Sequence, residues 1–100
     1  MKTPLKFIAC CANGVGSSLI MQITMKKVLD RVGLTPAKIH HCSVSEGKEQ
    51  ALQYDVVFTA TQFVDLFEDA AKNGVIVIAL QNLMSTDELE EKMRAHGIID

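Results

Sequence analysis

Cys11 opens the run Cys11-Ala12-Asn13-Gly14-Val15-Gly16-Ser17-Ser18, between the apolar stretch 5–10 and an amphipathic segment beginning at Leu19. A strand that feeds a helix through a small, glycine-containing turn leaves backbone N–H groups unpaired. Together with the positive end of the helix dipole, these groups favour a bound dianion. The same field favours a thiolate over a thiol, and the thiolate is the nucleophile. A cysteine in this setting predicts phosphoryl chemistry on sulfur, with Cys11 as the acceptor and the amides of Ala12, Asn13, Gly14, Val15, Gly16, Ser17 and Ser18 as the phosphate cradle. The two serine hydroxyls add donors where the helix begins.

Competing phosphate-binding signatures can be tested against the letters. A Walker A loop needs G-x-x-x-x-G-K-[ST], and no lysine occurs between Lys6 and Lys26. A dinucleotide fingerprint needs G-x-G-x-x-G; Gly14 and Gly16 supply two glycines, but Leu19 stands where the third is required. The third competitor is a low-molecular-weight-phosphatase-like cysteine hydrolase or reductase, which shares the strand, loop and helix but carries an arginine six residues after the cysteine. Here that position is Ser17. Without the guanidinium, bidentate stabilisation of the transferring phosphoryl group is lost. Such a loop holds a phosphorylated cysteine better than it discharges one to water, which suits a carrier. An anion-binding regulatory module without covalent chemistry stays open as a further reading.

The remaining reactive side chains have plainer readings. Cys10 belongs to the apolar stretch and reads as a buried hydrophobe. His40, His41 and Cys42 are consecutive. Consecutive strand residues point to opposite faces, so no metal site is expected there, and the two histidines read as surface residues. His96 lies near a helix C-terminus, where an imidazolium is favoured by the dipole. Met21 and Met25 are four apart on the first helix and either pack or flank a docking surface.

The elements that must position the loop follow from periodicity. Residues 5–10 read as a strand buried on both faces, and 17–32 as a helix on which Leu19, Ile20, Ile23, Val28, Leu29 and Val32 recur at helical spacing, with Gly33 as its stop. Residues 37–44 mix apolar and polar types and suit a strand near the sheet edge. A short polar helix over 46–53 precedes a buried strand at 56–60. Phe63, Leu66, Phe67 and Ala70 mark another short helix, and 75–80 is a further apolar strand. Ser85-Thr86-Asp87-Glu88 has the S-x-x-E form, in which hydroxyl and carboxylate satisfy each other's backbone donors, and it starts a helix over 85–95. Strands alternating with helices predict an α/β fold: a small open four-stranded parallel sheet flanked by helices, with the cysteine phosphate-binding loop after its first strand. Ligands of such sheets bind at the C-terminal strand ends. That places 59–62 and 80–82 as walls of the pocket around Cys11.

Composition bounds the function classes. One hundred residues at 48% hydrophobic content make one domain, spanning 1–100. A formal charge of −2 with scattered Lys and Arg gives no field for nucleic acid. No apolar run approaches the roughly 20 residues of a membrane span, and the N-terminal apolar segment is too short for a secretory signal. Three cysteines, two of them adjacent, fit a reducing compartment. The expectation is a cytoplasmic protein with no direct membrane insertion.

The loop resembles that of the enzyme IIB component of the bacterial phosphoenolpyruvate-dependent sugar phosphotransferase system, in its L-ascorbate type. That type carries C-G-x-G-x-G-S-S after its first strand, and residues 11–18 match it except for Ala12 in place of the first glycine. Leu19-Ile20-Met21, His41-Cys42-Ser43-Val44 and the segment 55–61 are also similar to that family. The resemblance implies that Cys11 accepts a phosphoryl group from a phosphohistidine of the IIA protein and passes it to a sugar bound by the membrane IIC transporter, without metal or organic cofactor. Galactitol and lactose or chitobiose IIB proteins share the N-terminal cysteine with differently composed loops. Alanine tolerates less of the positive-φ region than glycine, so Ala12 marks a local difference.

Overall fold

In the computed structural model, residues 5–11, 16–82 and 84–98 are described, with backbone only at 16–18. The chain runs β1 (Lys6–Cys11), α1 (Gly16–Val32), β2 (Lys38–Ser43), α2 (Val44–Gln50), a 3₁₀ turn (Ala51–Gln53), β3 (Val56–Ala60), a longer 3₁₀ segment (Thr61–Phe67) leading into α3 (Glu68–Lys72), β4 (Ile76–Leu80) and α4 (Thr86–Ala95). The strands form one parallel sheet in the order β2-β1-β3-β4. The expected four-stranded α/β sheet is therefore present, and β2, with its polar histidines, lies at an edge. The two strands buried along nearly their whole length, β1 and β3, take the centre, where both faces are covered, while the wholly apolar β4 lies at the other edge and is only partly buried.

Alternation along the strands divides the core into two layers. Phe7, Ala9 and Cys11 of β1, with Val56, Phe58 and Ala60 of β3, face Met21, Met25, Val28 and Leu29 of α1 and Leu89 and Met93 of α4. Ile8 and Cys10, with Cys42 and Val57, face Val44, Tyr54, Phe67 and Ala70 on the other side. Across the first layer the Phe7 and Phe58 rings stack with centroids 6.0 Å apart.

The inner stripe of α1 differs from the sequence expectation in its first turns. Met21, Met25, Val28, Leu29 and Val32 follow 3.6-residue spacing toward the sheet, whereas Leu19, Ile20 and Ile23 point away and are exposed. The methionines are core residues. At the far end Gly33 adopts φ +75°, and the Leu34 N–H donates to the Leu29 carbonyl at 2.9 Å, which ends the helix in the left-handed form that glycine accommodates.

Three other segments differ from expectation for local reasons. The helix expected at 46–53 begins at Val44, because Ser43 caps it by accepting the Glu46 N–H at 3.3 Å; Val44 therefore belongs to α2 rather than to the preceding strand. The helix expected around 63–70 is a 3₁₀ segment that becomes α-helical at Glu68. At α4 the Ser85 hydroxyl accepts the Glu88 N–H at 3.1 Å as expected, but the Glu88 carboxylate turns elsewhere.

Candidate functional site

Cys11 is the last residue of β1, with its Cα in register with Ser43 of β2. The sequence places it first in the turn; the ladder holds it one step longer because β2 continues to Ser43. Its side chain is 4% exposed and lies in the α1 and α4 layer. Ala12, Asn13, Gly14 and Val15 lie outside the described residues, as do the side chains of Ser17 and Ser18. The backbone of Gly16, Ser17 and Ser18 forms the first turn of α1. That turn contains no acidic residue, so the positive end of a 17-residue helix is not offset by its own side chains. Cys11 thus ends a central parallel strand with four residues between it and a helix N-terminus, the place where α/β sheets bind ligands.

The two expected walls differ in how their turns are closed. Thr61 and Gln62 open the 3₁₀ segment directly after β3 and are exposed. The turn after β4 is closed by Glu88, whose carboxylate accepts the Gln81 N–H at 2.8 Å and the Asn82 N–H at 2.9 Å. Lys92 completes the arrangement, pairing with Glu88 at 3.2 Å and donating to the Ala79 carbonyl. Burial alone would raise the Glu88 carboxyl, but the two N–H donors and the ammonium together hold it below the usual carboxylate range. The β4 amides are therefore already occupied by an anion of the protein itself.

On the opposite face of the sheet, Cys10 and Cys42 are register partners with sulfurs 3.9 Å apart. Burial, then the adjoining Cys42, push the Cys10 thiol far up; burial also raises Cys42, against the lowering effect of its contact with Cys10, with the Glu46 carboxylate adding to the rise. Both stay protonated at neutral pH. A Cβ on Gly47 would stand 2.1 Å from the Cys10 sulfur, so α2 approaches the sheet this closely only because residue 47 has no side chain. His40 and Cys42 are two apart, not adjacent, and share this face; the His40 Nε2 lies 3.6 Å from Glu46 Oε2. Neighbour-by-neighbour reading of 40–42 missed that pairing. The Ser43-Val44-Ser45-Glu46 run, another S-x-x-E signal, was the clue that α2 would deliver Glu46 there.

Comparison with known proteins places this geometry in a family. Residues 6–95 match the family described as PTS system, lactose/cellobiose specific IIB subunit. The chain is 27% identical over 89 residues to the ascorbate-specific PTS system EIIB component of Mycoplasma pneumoniae, covering 89% of this chain and 90% of that protein. It is 24% identical to the protein of the same name from Salmonella typhimurium, over 89% of this chain and 85% of that one. The lactose-specific IIB component domain from Streptococcus pneumoniae shares the fold, with a TM-score of 0.70 at 14% identity, over 94% of this chain and 98% of that one. Among the described residues no helix is long and apolar enough to cross a membrane. With nine-tenths of its length matched, the chain belongs to the IIB family of the sugar phosphotransferase system and is a phosphocarrier of that system.

Proposed function

We propose that Cys11 is the phosphoryl acceptor and that the sugar served is L-ascorbate. In the first step the Cys11 thiolate attacks the phosphorus of a IIA phosphohistidine; the S–P bond forms as the N–P bond breaks, and the histidine leaves. In the second, a hydroxyl of the sugar held by membrane IIC attacks the same phosphorus, the S–P bond breaks, the thiolate is released and the hydroxyl proton passes to solvent or base. Catalysis in both is positioning and electrostatic stabilisation, with the amides of residues 12–18 meeting the phosphoryl oxygens. Residues 1–100 act as one IIB domain on the cytoplasmic side, between a soluble donor and a membrane acceptor.

The observation that carries this reading is the place of Cys11 at the C-terminal end of a central parallel strand, just ahead of a helix whose first turn is free of acidic side chains. Support for ascorbate comes from the names of the relatives in Mycoplasma and Salmonella and from the loop residues 11–18.

Phosphoenolpyruvate, the general phosphocarriers and an ascorbate-type IIA should label the wild-type chain and leave Cys11→Ser unlabelled. Equal labelling of the two would remove Cys11 from the mechanism. Labelling by a lactose-type IIA but not by the ascorbate type would reassign the sugar, and turnover of an aryl phosphate would point to a hydrolase.

A further inference from the structure

The layer away from Cys11 gathers side chains that phosphoryl transfer does not use. His40 and Cys42 project to one face of edge strand β2, and Glu46 joins them from the first turn of α2, placed there by the Ser43 cap. One ligand atom from each of the three lies within 4.8 Å of the others. Cys42 is buried, His40 half-buried and Glu46 exposed, so the cluster has a closed floor and an open mouth through which an ion can enter. The Tyr54 ring lies nearly parallel to the His40 ring, at 14° and 6.4 Å, which limits how the imidazole can turn.

Cys10 adds a second sulfur 3.9 Å from that of Cys42. Two thiolates on one tetrahedral zinc, each about 2.3 Å from the metal, stand about 3.8 Å apart. A disulfide requires about 2.05 Å. The observed spacing matches a thiol–thiol contact and is also the distance at which both sulfurs can reach one ion, but it is far from a disulfide. Imidazole, thiolate and carboxylate are the donors zinc takes, while magnesium and calcium call for oxygen alone.

We propose that His40, Cys42 and Glu46 bind a zinc ion, with the neighbouring Cys10 sulfur as the fourth ligand. Each thiol releases its proton to the buffer as its Zn–S bond forms, the ion stays divalent, and nothing is oxidised. The ion ties edge strand β2 to α2 on the far side of the sheet from Cys11 and takes no part in phosphoryl transfer.

The test uses the full chain, reduced and stripped of metal, titrated with Zn²⁺ alone against a chromophoric chelator and with Co²⁺ for the thiolate-to-metal charge-transfer band. One ion per chain is expected, with the charge-transfer band present in wild type and in Cys11→Ser. Cys42→Ser should abolish most of that band, and Glu46→Gln, a change at an exposed position that leaves the fold intact by circular dichroism, should weaken zinc binding roughly tenfold or more. Cys10→Ser should lower the band to that of a single thiolate. Zinc binding that is equally tight in wild type and Glu46→Gln, or a band that disappears with Cys11 instead of Cys42, would overturn the site. A full band in Cys10→Ser would overturn the part assigned to Cys10.

Discussion

Cys10 and Cys11 are adjacent in sequence and lie in different layers of the molecule. Exposure does not separate them, at 0% and 4% respectively. Their surroundings do. Cys10 is pressed between the Cys42 thiol and the bare backbone of Gly47, in a layer whose nearby charge is the carboxylate of Glu46. Cys11 ends the strand that precedes α1, a helix with no acidic residue in its first turn. One step along a strand reverses the face and, with it, the set of neighbours around the sulfur. Residue type alone therefore says little about which thiol is chemical and which is structural.

The widest separation of the two should appear in phosphotransfer. Cys11→Ser is expected to abolish acceptance of the phosphoryl group, while Cys10→Ser keeps acceptance within a few-fold of wild type in the same labelling assay. Loss in both variants would mean that the two layers are not independent. A smaller contrast should appear in alkylation. Near neutral pH, Cys11 should react with iodoacetamide roughly tenfold or more faster than Cys10 or Cys42, since burial raises both of those thiols and one unit of acidity is a factor of ten in thiolate. Inorganic phosphate should slow Cys11 alone. Residue-resolved mass spectrometry reads all three at once, and equal rates would erase the distinction.

The Cys10 layer can be tested through its packing. Gly47→Ala should destabilise the fold by about 1–3 kcal/mol, because the new methyl group meets a sulfur at a distance no real contact allows. Helix propensity would favour alanine by roughly 1 kcal/mol, so a loss of stability identifies the clash as the larger effect. In a Cys10→Ala background the penalty should shrink, since the nearest sulfur is gone and the Cys10 Cβ at 3.1 Å and the Cys42 sulfur at 3.4 Å are the closest atoms left. Urea denaturation of the four proteins gives the coupling; a penalty unchanged by removing the sulfur would place its origin elsewhere.

Much of this arrangement can be read from the letters, because the strands differ in the right ways. The polar histidines mark β2 as an edge, whereas the wholly apolar 76–80 strand gives no sign in its letters that it forms the other edge. Gly33 and Ser85 mark where helices stop and start, and Cys11 is identifiable as the sulfur at a strand end. What periodicity does not carry is register. Only the pairing of Cys10 with Cys42 brings those sulfurs together, and only the placement of α2 over β2 delivers Glu46 to His40. The outward turn of Leu19, Ile20 and Ile23 is likewise a tertiary choice: two apolar stripes were available on α1, and the one aligned with Val28 and Leu29 is the one the sheet covers.

The smallest expected effect concerns the Cys11 layer at its other wall, where Glu88 occupies the amides after β4. Glu88→Gln keeps the size of the side chain and one carbonyl acceptor, but removes the charge that two N–H groups and Lys92 hold in place. The loss should be about 1.5 kcal/mol at neutral pH, the low end for hydrogen bonds to a charged group, because Gln81 and Asn82 are exposed and water can replace the acceptor. Its pH dependence gives the more specific check. The Glu88 carboxyl is held below its ordinary value in the folded chain, so its contribution is fully present above the unfolded value of about 4.3 and disappears as pH falls through the lower folded value. Wild type and Glu88→Gln should accordingly differ by a constant amount from neutrality down to about pH 5 and converge below the unfolded value. A difference that persists unchanged at pH 3 would show that the glutamine is disfavoured for its shape, and that the carboxylate charge is not what closes the β4 turn.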